Sequence, residues 1–105
     1  MGVPADIDLC AMVSVAGDGS LEVDDGSTQV TRDSQGTYTM VIPGEFPASE
    51  LVLQCYVNAG AGSSAPLPSW WELTPGTLRF NVFDSGGVLA DLPWSCTVYR
   101  VVPTT

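Results

Sequence analysis

Apolar and polar residues alternate along most of this chain with a period of two, the mark of half-buried strands. The clearest run is Thr37–Ile42, where Tyr38, Met40 and Ile42 face one way and Thr37, Thr39 and Val41 the other. In Glu50–Ala59, the longest run, Leu51, Leu53, Cys55 and Val57 oppose Val52, Gln54, Tyr56 and Asn58. In Leu78–Asp84, Leu78, Phe80 and Val82 oppose Arg79, Asn81 and Phe83. In Ser95–Val102, Cys96, Val98 and Arg100 oppose Thr97, Tyr99 and Val101. Ile7–Val15, Leu21–Val23, Gln29–Arg32 and Trp70–Leu73 complete the set, with residues 60–68 as a loop.

No segment keeps an apolar period of 3.6. Eleven glycines and eight prolines cut the chain at short intervals, as in sandwiches and barrels. The pattern predicts one all-β domain over residues 1–105: a compact antiparallel two-sheet sandwich of about eight strands, of jelly-roll or immunoglobulin type, with a short N-terminal arm at 1–6.

Charge changes this picture. The chain has twelve acidic residues, three arginines, no lysine and no histidine, for a net charge of −9. Arg32, Arg79 and Arg100 alone cannot make a basic stripe, so no nucleic-acid partner is expected. There is no apolar run of transmembrane length, so no membrane partner is expected either. The start of the chain has no basic segment leading into an apolar one, so no export signal is read there.

Charged residues make up only 14% of the chain, against about 25% in average soluble domains. Several strand faces opposite the core also carry Tyr, Phe and Val, where a one-sided sheet would be polar. Few charges guard the strand edges. Together these features predict that neighbouring copies cover part of the surface.

The chemistry-bearing candidates are few. Asp18, Glu22, Asp24 and Asp25 cluster in GDGSLEVDDG, but their spacing is not that of a calcium loop. Asp-Gly turn chemistry is the preferred reading. Cys10, Cys55 and Cys96 are widely spaced, with no CxxC pair, and each lies in an apolar run. They read as buried small hydrophobes rather than a disulfide framework or zinc site. Without histidine, lysine or a GxSxG elbow the usual general bases and nucleophile are missing. No enzyme activity, cofactor or metal is expected. Trp70, Trp71 and Trp94 could stack on sugar rings. Packing in the core or at an interface is preferred, with Trp70 and Trp71 as the first contact patch. Tyr56, Phe83 and Tyr99, on the faces opposite the core, join them as interface candidates. So do Arg32, expected to pair with an acid across a turn or a subunit boundary, and Arg79 and Arg100, read as either simply exposed or paired with an acid of a neighbouring subunit.

Three blocks carry a resemblance. Val30, Arg32, Gly36, Tyr38 and Pro43 fit V-x-R…G-x-Y-x-x-x-(I/F)-P. Leu78 through Asp84, with Gly87, fit (L/V)-R-(F/V)-x-V-(F/Y)-D-x-x-G. Thr97-Val98-Tyr99-Arg100-Val101 forms the closing strand. Over residues 28–101 the chain resembles the short C1q/TNF-like jelly-roll domains of bacteriophage tail fibres and capsid appendages. It departs from longer members in its length and in Trp70-Trp71 and the proline-rich stretch at 66–68. The resemblance implies a jelly roll and a homotrimer in which strand edges and one sheet face meet at a three-fold axis. It further implies a structural virion protein: a decoration (cement) protein bound to the major capsid protein on the capsid surface, made in the host bacterial cytoplasm. Met1–Ile7 would then be a docking arm. The alternative it implies is a glycan-binding module at a tail-fibre tip. The lack of a shaft or attachment segment in this chain favours the decoration role.

Overall fold

A computed structural model describes residues 5–58 and 66–103. They form two four-stranded antiparallel sheets packed face to face, with no α-helix among the described residues. The strands are β1 (Ala5–Val15), β2 (Leu21–Val23), β3 (Gln29–Ser34), β4 (Thr37–Val41), β5 (Leu51–Val57), β6 (Ser69–Thr74), β7 (Thr77–Asn81) and β8 (Trp94–Pro103). One sheet runs β2-β1-β8-β5, the other β3-β4-β7-β6. The expected all-β, eight-strand, two-sheet sandwich is therefore what forms.

Alternation sets the core. Tyr38, Met40, Leu78 and Phe80 point inward from β4 and β7, and Ala11, Val13, Val15, Trp94, Cys96 and Val98 meet them from β1 and β8. Trp94 is fully buried. Its ring centroid lies 4.7 Å from that of Phe80 and 5.4 Å from that of Tyr38, both tilted. Tyr38 and Phe80 are directly paired across β4 and β7, so one indole from the first sheet closes over two rings of the second. Tilted pairs at these distances add about 0.5–1.5 kcal/mol each beyond area burial.

The second sheet contains a repeat. Every boundary of β6 and β7 lies 40 residues after the matching boundary of β3 and β4. Both hairpins turn through Gly-Thr, and both carry a bulge at the equivalent place, Arg32/Ser34 in one and Glu72/Thr74 in the other. The glycines, Gly36 (φ +72°) and Gly76 (φ +86°), hold the left-handed conformation that β-carbons disfavour. Their carbonyls accept reciprocal bonds: Val82 N–H donates to Gly36 O at 2.7 Å and Ile42 N–H to Gly76 O at 3.0 Å.

Several boundaries differ from the alternation. β1 begins at Ala5, because its N-terminal residues still find partners in the end of β8. It thus takes in two residues of the expected arm, whose first four residues lie outside the described ones. Glu50 closes a 3-10 turn (Ala48–Glu50) instead of opening β5. Residues 59–65, the end of the long run and most of the expected loop, lie outside the described residues. β7 stops at Asn81, since the Asp84 carboxylate accepts from Gly86 N–H at 2.8 Å and Val88 N–H at 3.1 Å and folds that stretch into a turn of its own. Phe83 is left in an isolated bridge to Leu89. Pro103 does not stop β8 but is its last residue, at the end of the ladder where a missing N–H is tolerated.

Candidate functional site

The outer face of the first sheet is the most unusual surface of the molecule. β1 changes phase at a bulge between Leu9 and Ala11. Beyond it Val13 and Val15 stay inward, while Met12 and Ser14 turn outward with Thr97 and Ser95 of β8. On the other side of the bulge Leu9 is opposite Tyr99 and Ile7 opposite Val101. β5 adds Val52, Gln54 and Tyr56, in register with Tyr99, Thr97 and Ser95. Met12 is 48% exposed, Val52 50%, Tyr56 55% and Val23, from β2, 58%. None of these outward residues is charged, in a chain of net charge −9. A shallow depression of about 360 Å³ at one end of the face is bordered by Met12, Val23, Tyr56 and Asn58. Its floor is tied by Asn58 Nδ2–H to Ser95 Oγ at 3.1 Å and Ser95 Oγ–H to Ser14 Oγ at 3.3 Å.

The edge beside this face is equally unguarded. β5 (LVLQCYV) is a regular seven-residue edge strand with no charge, proline or bulge. The other edges carry the usual protection. β2 is only three residues long, β3 holds Arg32, Asp33 and a bulge, and β6 holds Glu72 and a bulge.

Two of the sequence candidates, Tyr56 and Tyr99, share this face, Tyr56 opposite Ser95 and Tyr99 opposite Val52, four residues apart along the ladder. The tryptophans do not meet. Trp71 is exposed on the outer face of the second sheet, opposite Arg79; Trp70 is half-buried opposite Phe80, and Trp94 is in the core. A stacking platform made of all three is therefore ruled out.

Each arginine finds an acid within its own chain. Arg32 forms a two-pronged pair with Asp91, Nε at 3.0 Å and Nη2 at 2.8 Å. Asp91 also accepts from Gly36 N–H at 2.8 Å and lies 3.4 Å from the Tyr38 hydroxyl, which donates to Gly17 O at 2.8 Å. One carboxylate thus ties the turns at one end of both sheets. Arg32 and the Gly36 N–H hold the Asp91 carboxyl below the usual carboxylate range. Burial and the neighbouring Asp91 charge push the Tyr38 hydroxyl up to about 12. Arg100 pairs with Glu50 at 2.8 Å, and its guanidinium carbon lies 4.1 Å from the centre of the Phe46 ring. Arg79 reaches Asp33 at 3.7 Å and Thr39 Oγ1 at 3.5 Å, leaving its buried Nε without a partner.

Three of the four acids of GDGSLEVDDG serve as turn caps, while Glu22 lies in β2. Asp18 accepts from Ser20 N–H and Oγ–H, which lowers its pKa. Asp24 accepts from Gly26 N–H at 2.6 Å. Asp25 accepts from the N–H groups of Ser27, Thr28 and Met12. Burial pushes Asp25 up, but these bonds outweigh it and set the pKa at about 2. No group of three or more metal-ligating side chains gathers among the described residues.

The cysteines are less uniformly buried than expected: Cys96 is in the core, but Cys10 and Cys55 are half-buried. Cys10 sits at the β1 bulge and Cys55 on the edge strand, where neither can be fully enclosed. Comparison with protein-family models, curated proteins and solved structures finds no match for this chain.

Proposed function

We propose that this chain is a non-enzymatic assembly protein: a homotrimeric decoration protein that packs on a bacteriophage capsid and ties neighbouring shell subunits together. The observation that carries the reading is the uncharged outer face of the β2-β1-β8-β5 sheet next to the unguarded edge β5. Highly charged chains associate most easily where each presents no charge. Four strands of up to eleven residues span on the order of 600 Å² in projection, close to the ~800 Å² that each partner contributes to a standard interface. An edge of one copy set on the face of the next is a head-to-tail contact, and such contacts form a ring when the rotation between copies closes, here at one third of a turn.

The sequence resemblance supports the finer reading. The ladder between first and last strands, flanked by β2 and β5, suits a shortened C1q/TNF-like jelly roll. The trimer would bring its negative charge to a basic or cation-lined site on the major capsid protein, with the N-terminal residues as a docking arm. The role is mass action: a bound cement stabilises the shell in proportion to its occupancy.

Light scattering of the purified chain at micromolar concentration tests the assembly. The expected mass is that of a trimer, falling to a monomer in Val52→Lys, which sets an unpaired charge on edge strand β5 where it borders the uncharged face. A wild-type monomer would overturn it. Copy number in purified particles tests the role: hundreds of copies fit decoration, a handful fit a tail part. Particles that lack the protein yet keep full resistance to heat and low salt would end the cementing role.

One observation favours the glycan-binding alternative at a tail-fibre tip. Trp71, 42% exposed, stands opposite Arg79 on a face that also carries Gln29, Thr31, Thr39, Thr77 and Asn81, with the exposed Val41 beside Thr77. An apolar ring flanked by hydroxyl and amide groups suits a sugar ring. Glycan-array binding abolished in Trp71→Ala would select this role over decoration.

A further inference from the structure

Cys55 and Cys96 lie 41 residues apart in sequence and directly opposite one another in the β5–β8 ladder. Opposed residues of antiparallel strands have α-carbons about 4.5–5.5 Å apart, within the roughly 4.4–6.8 Å that a disulfide spans. Both side chains point to the same side of the sheet, in line with Leu53 and Val57 on one strand and Val98 on the other. Their sulfurs are 2.7 Å apart, inside the ~3.5–4.0 Å at which non-bonded heavy atoms rest. The backbone therefore needs no movement to bring the two thiols together. Cys10 sits on β1, on the far side of β8 from β5, at the bulge where the ladder to β8 skips a residue.

We propose that Cys55 and Cys96 are a modification site: an intramolecular cross-strand disulfide, made by exchange with a small-molecule disulfide such as oxidised glutathione. The half-buried Cys55 begins the exchange. Its thiolate attacks one glutathione sulfur, breaks the glutathione S–S bond and releases one glutathione thiolate. Cys96 then loses its proton and attacks the Cys55 sulfur of the mixed disulfide. The Cys55–Cys96 bond forms, the second glutathione leaves as thiolate, and the two protein protons pass to the leaving groups. Two protein thiols are oxidised and one glutathione disulfide is reduced. In the reduced protein, contact with Cys55 and burial push the Cys96 thiol up, so the more exposed Cys55 is the thiol that starts the exchange. The product ties edge strand β5 to its neighbour β8 and closes a loop that holds β6 and β7, two of the four strands of the second sheet.

The test is to incubate the folded, reduced protein with oxidised glutathione, quench with acid, count thiols in denaturant and map the linked peptides. The expected result is a fall from three thiols to one, a single Cys55–Cys96 link, and no change in assembly mass. The melting midpoint should rise by on the order of 10 °C and return with dithiothreitol. Cys10→Ser should form the same link and end with no free thiol; Cys55→Ala should form none within the chain. Three thiols surviving in the folded protein, a link that includes Cys10, or links only between chains would each overturn the proposal. The outcome is independent of whether the protein assembles on a capsid.

Discussion

Removing the Asp91 carboxylate gives the sharpest stability test of this fold. Asp91 is a third exposed, so its pair with Arg32 is screened and adds little on its own. The cost of Asp91→Ala comes from the groups left behind. The part-buried Gly36 N–H loses its acceptor, and Tyr38 keeps only Gly17 O. An orphaned donor of this kind costs about 1–3 kcal/mol, so the expected loss is about 2 kcal/mol, or roughly a 10 °C fall in Tm for a domain this size. Urea unfolding at pH 7, followed by the fluorescence of the buried Trp94, should show a lower midpoint with an unchanged slope. Arg32→Ala should cost less than Asp91→Ala, because Gly36 keeps its acceptor. The folded Asp91 pKa lies below its unfolded value. Its contribution is therefore complete above the usual aspartate pKa of about 3.9, and is lost as pH falls through the lower folded value. The gap between wild type and Asp91→Ala should close in that acid window. A loss under about 0.5 kcal/mol at pH 7, or equal losses for the two variants, would refute Asp91 as the tie between the sheets.

Other outcomes follow from the same structure. Asp25, with a folded pKa of about 2, stabilises the fold above its unfolded pKa and loses that effect between about pH 5 and 1; after screening, about 1 kcal/mol should vanish there in wild type and not in Asp25→Ala. Trp94→Ala should cost about 3–5 kcal/mol. Trp94→Phe should cost under about 1.5 kcal/mol, since it also removes a buried indole N–H with no partner; comparison of the two in urea checks this. Gly36→Ala would place its β-carbon 2.6 Å from Ala90 N, whereas Gly26→Ala, also at positive φ, meets nothing within 4 Å. The first should lose about 3 kcal/mol or more and the second about 1 kcal/mol in chemical denaturation.

Alternation made β4, β5 and β7 legible because each has a fully apolar inner row and no bulge in its core-facing part. β1 was legible as a strand but not as two faces, since the bulge at Cys10 reverses its phase without leaving a sequence mark. The scarcity of charge directed attention to the outer faces, and Tyr56 and Tyr99 both lie on the uncharged outer face of the first sheet. Their neighbours Met12, Val23 and Val52 were not singled out, because which of two apolar rows faces outward depends on the second sheet. Arg32 was seen to need an acid, yet Asp91 lies 59 residues away, beyond the reach of any local pattern. The repeated hairpin did have a signal: the Gly-Thr pairs at Gly36 and Gly76 and the turns before them share a 40-residue offset. The pairing of Cys55 with Cys96 had none, because register across distant strands is decided by tertiary structure.

β8 is the central strand of its sheet, with ten residues paired to β1 and seven to β5, and it is the last of the eight to leave the ribosome. Until it emerges, β5 has no strand to pair with and β1 has only the three-residue β2, and the rings of Tyr38 and Phe80 wait for Trp94 to cover them. At about 5–20 residues per second the nascent chain spends several seconds in that state. The local hairpins can form early, but the sandwich closes only as a last-step event. Chaperone demand and aggregation risk should therefore peak just before β8 emerges. Ribosome-bound chains stalled before Trp94 should stay sensitive to protease, while chains whose β8 has emerged become resistant.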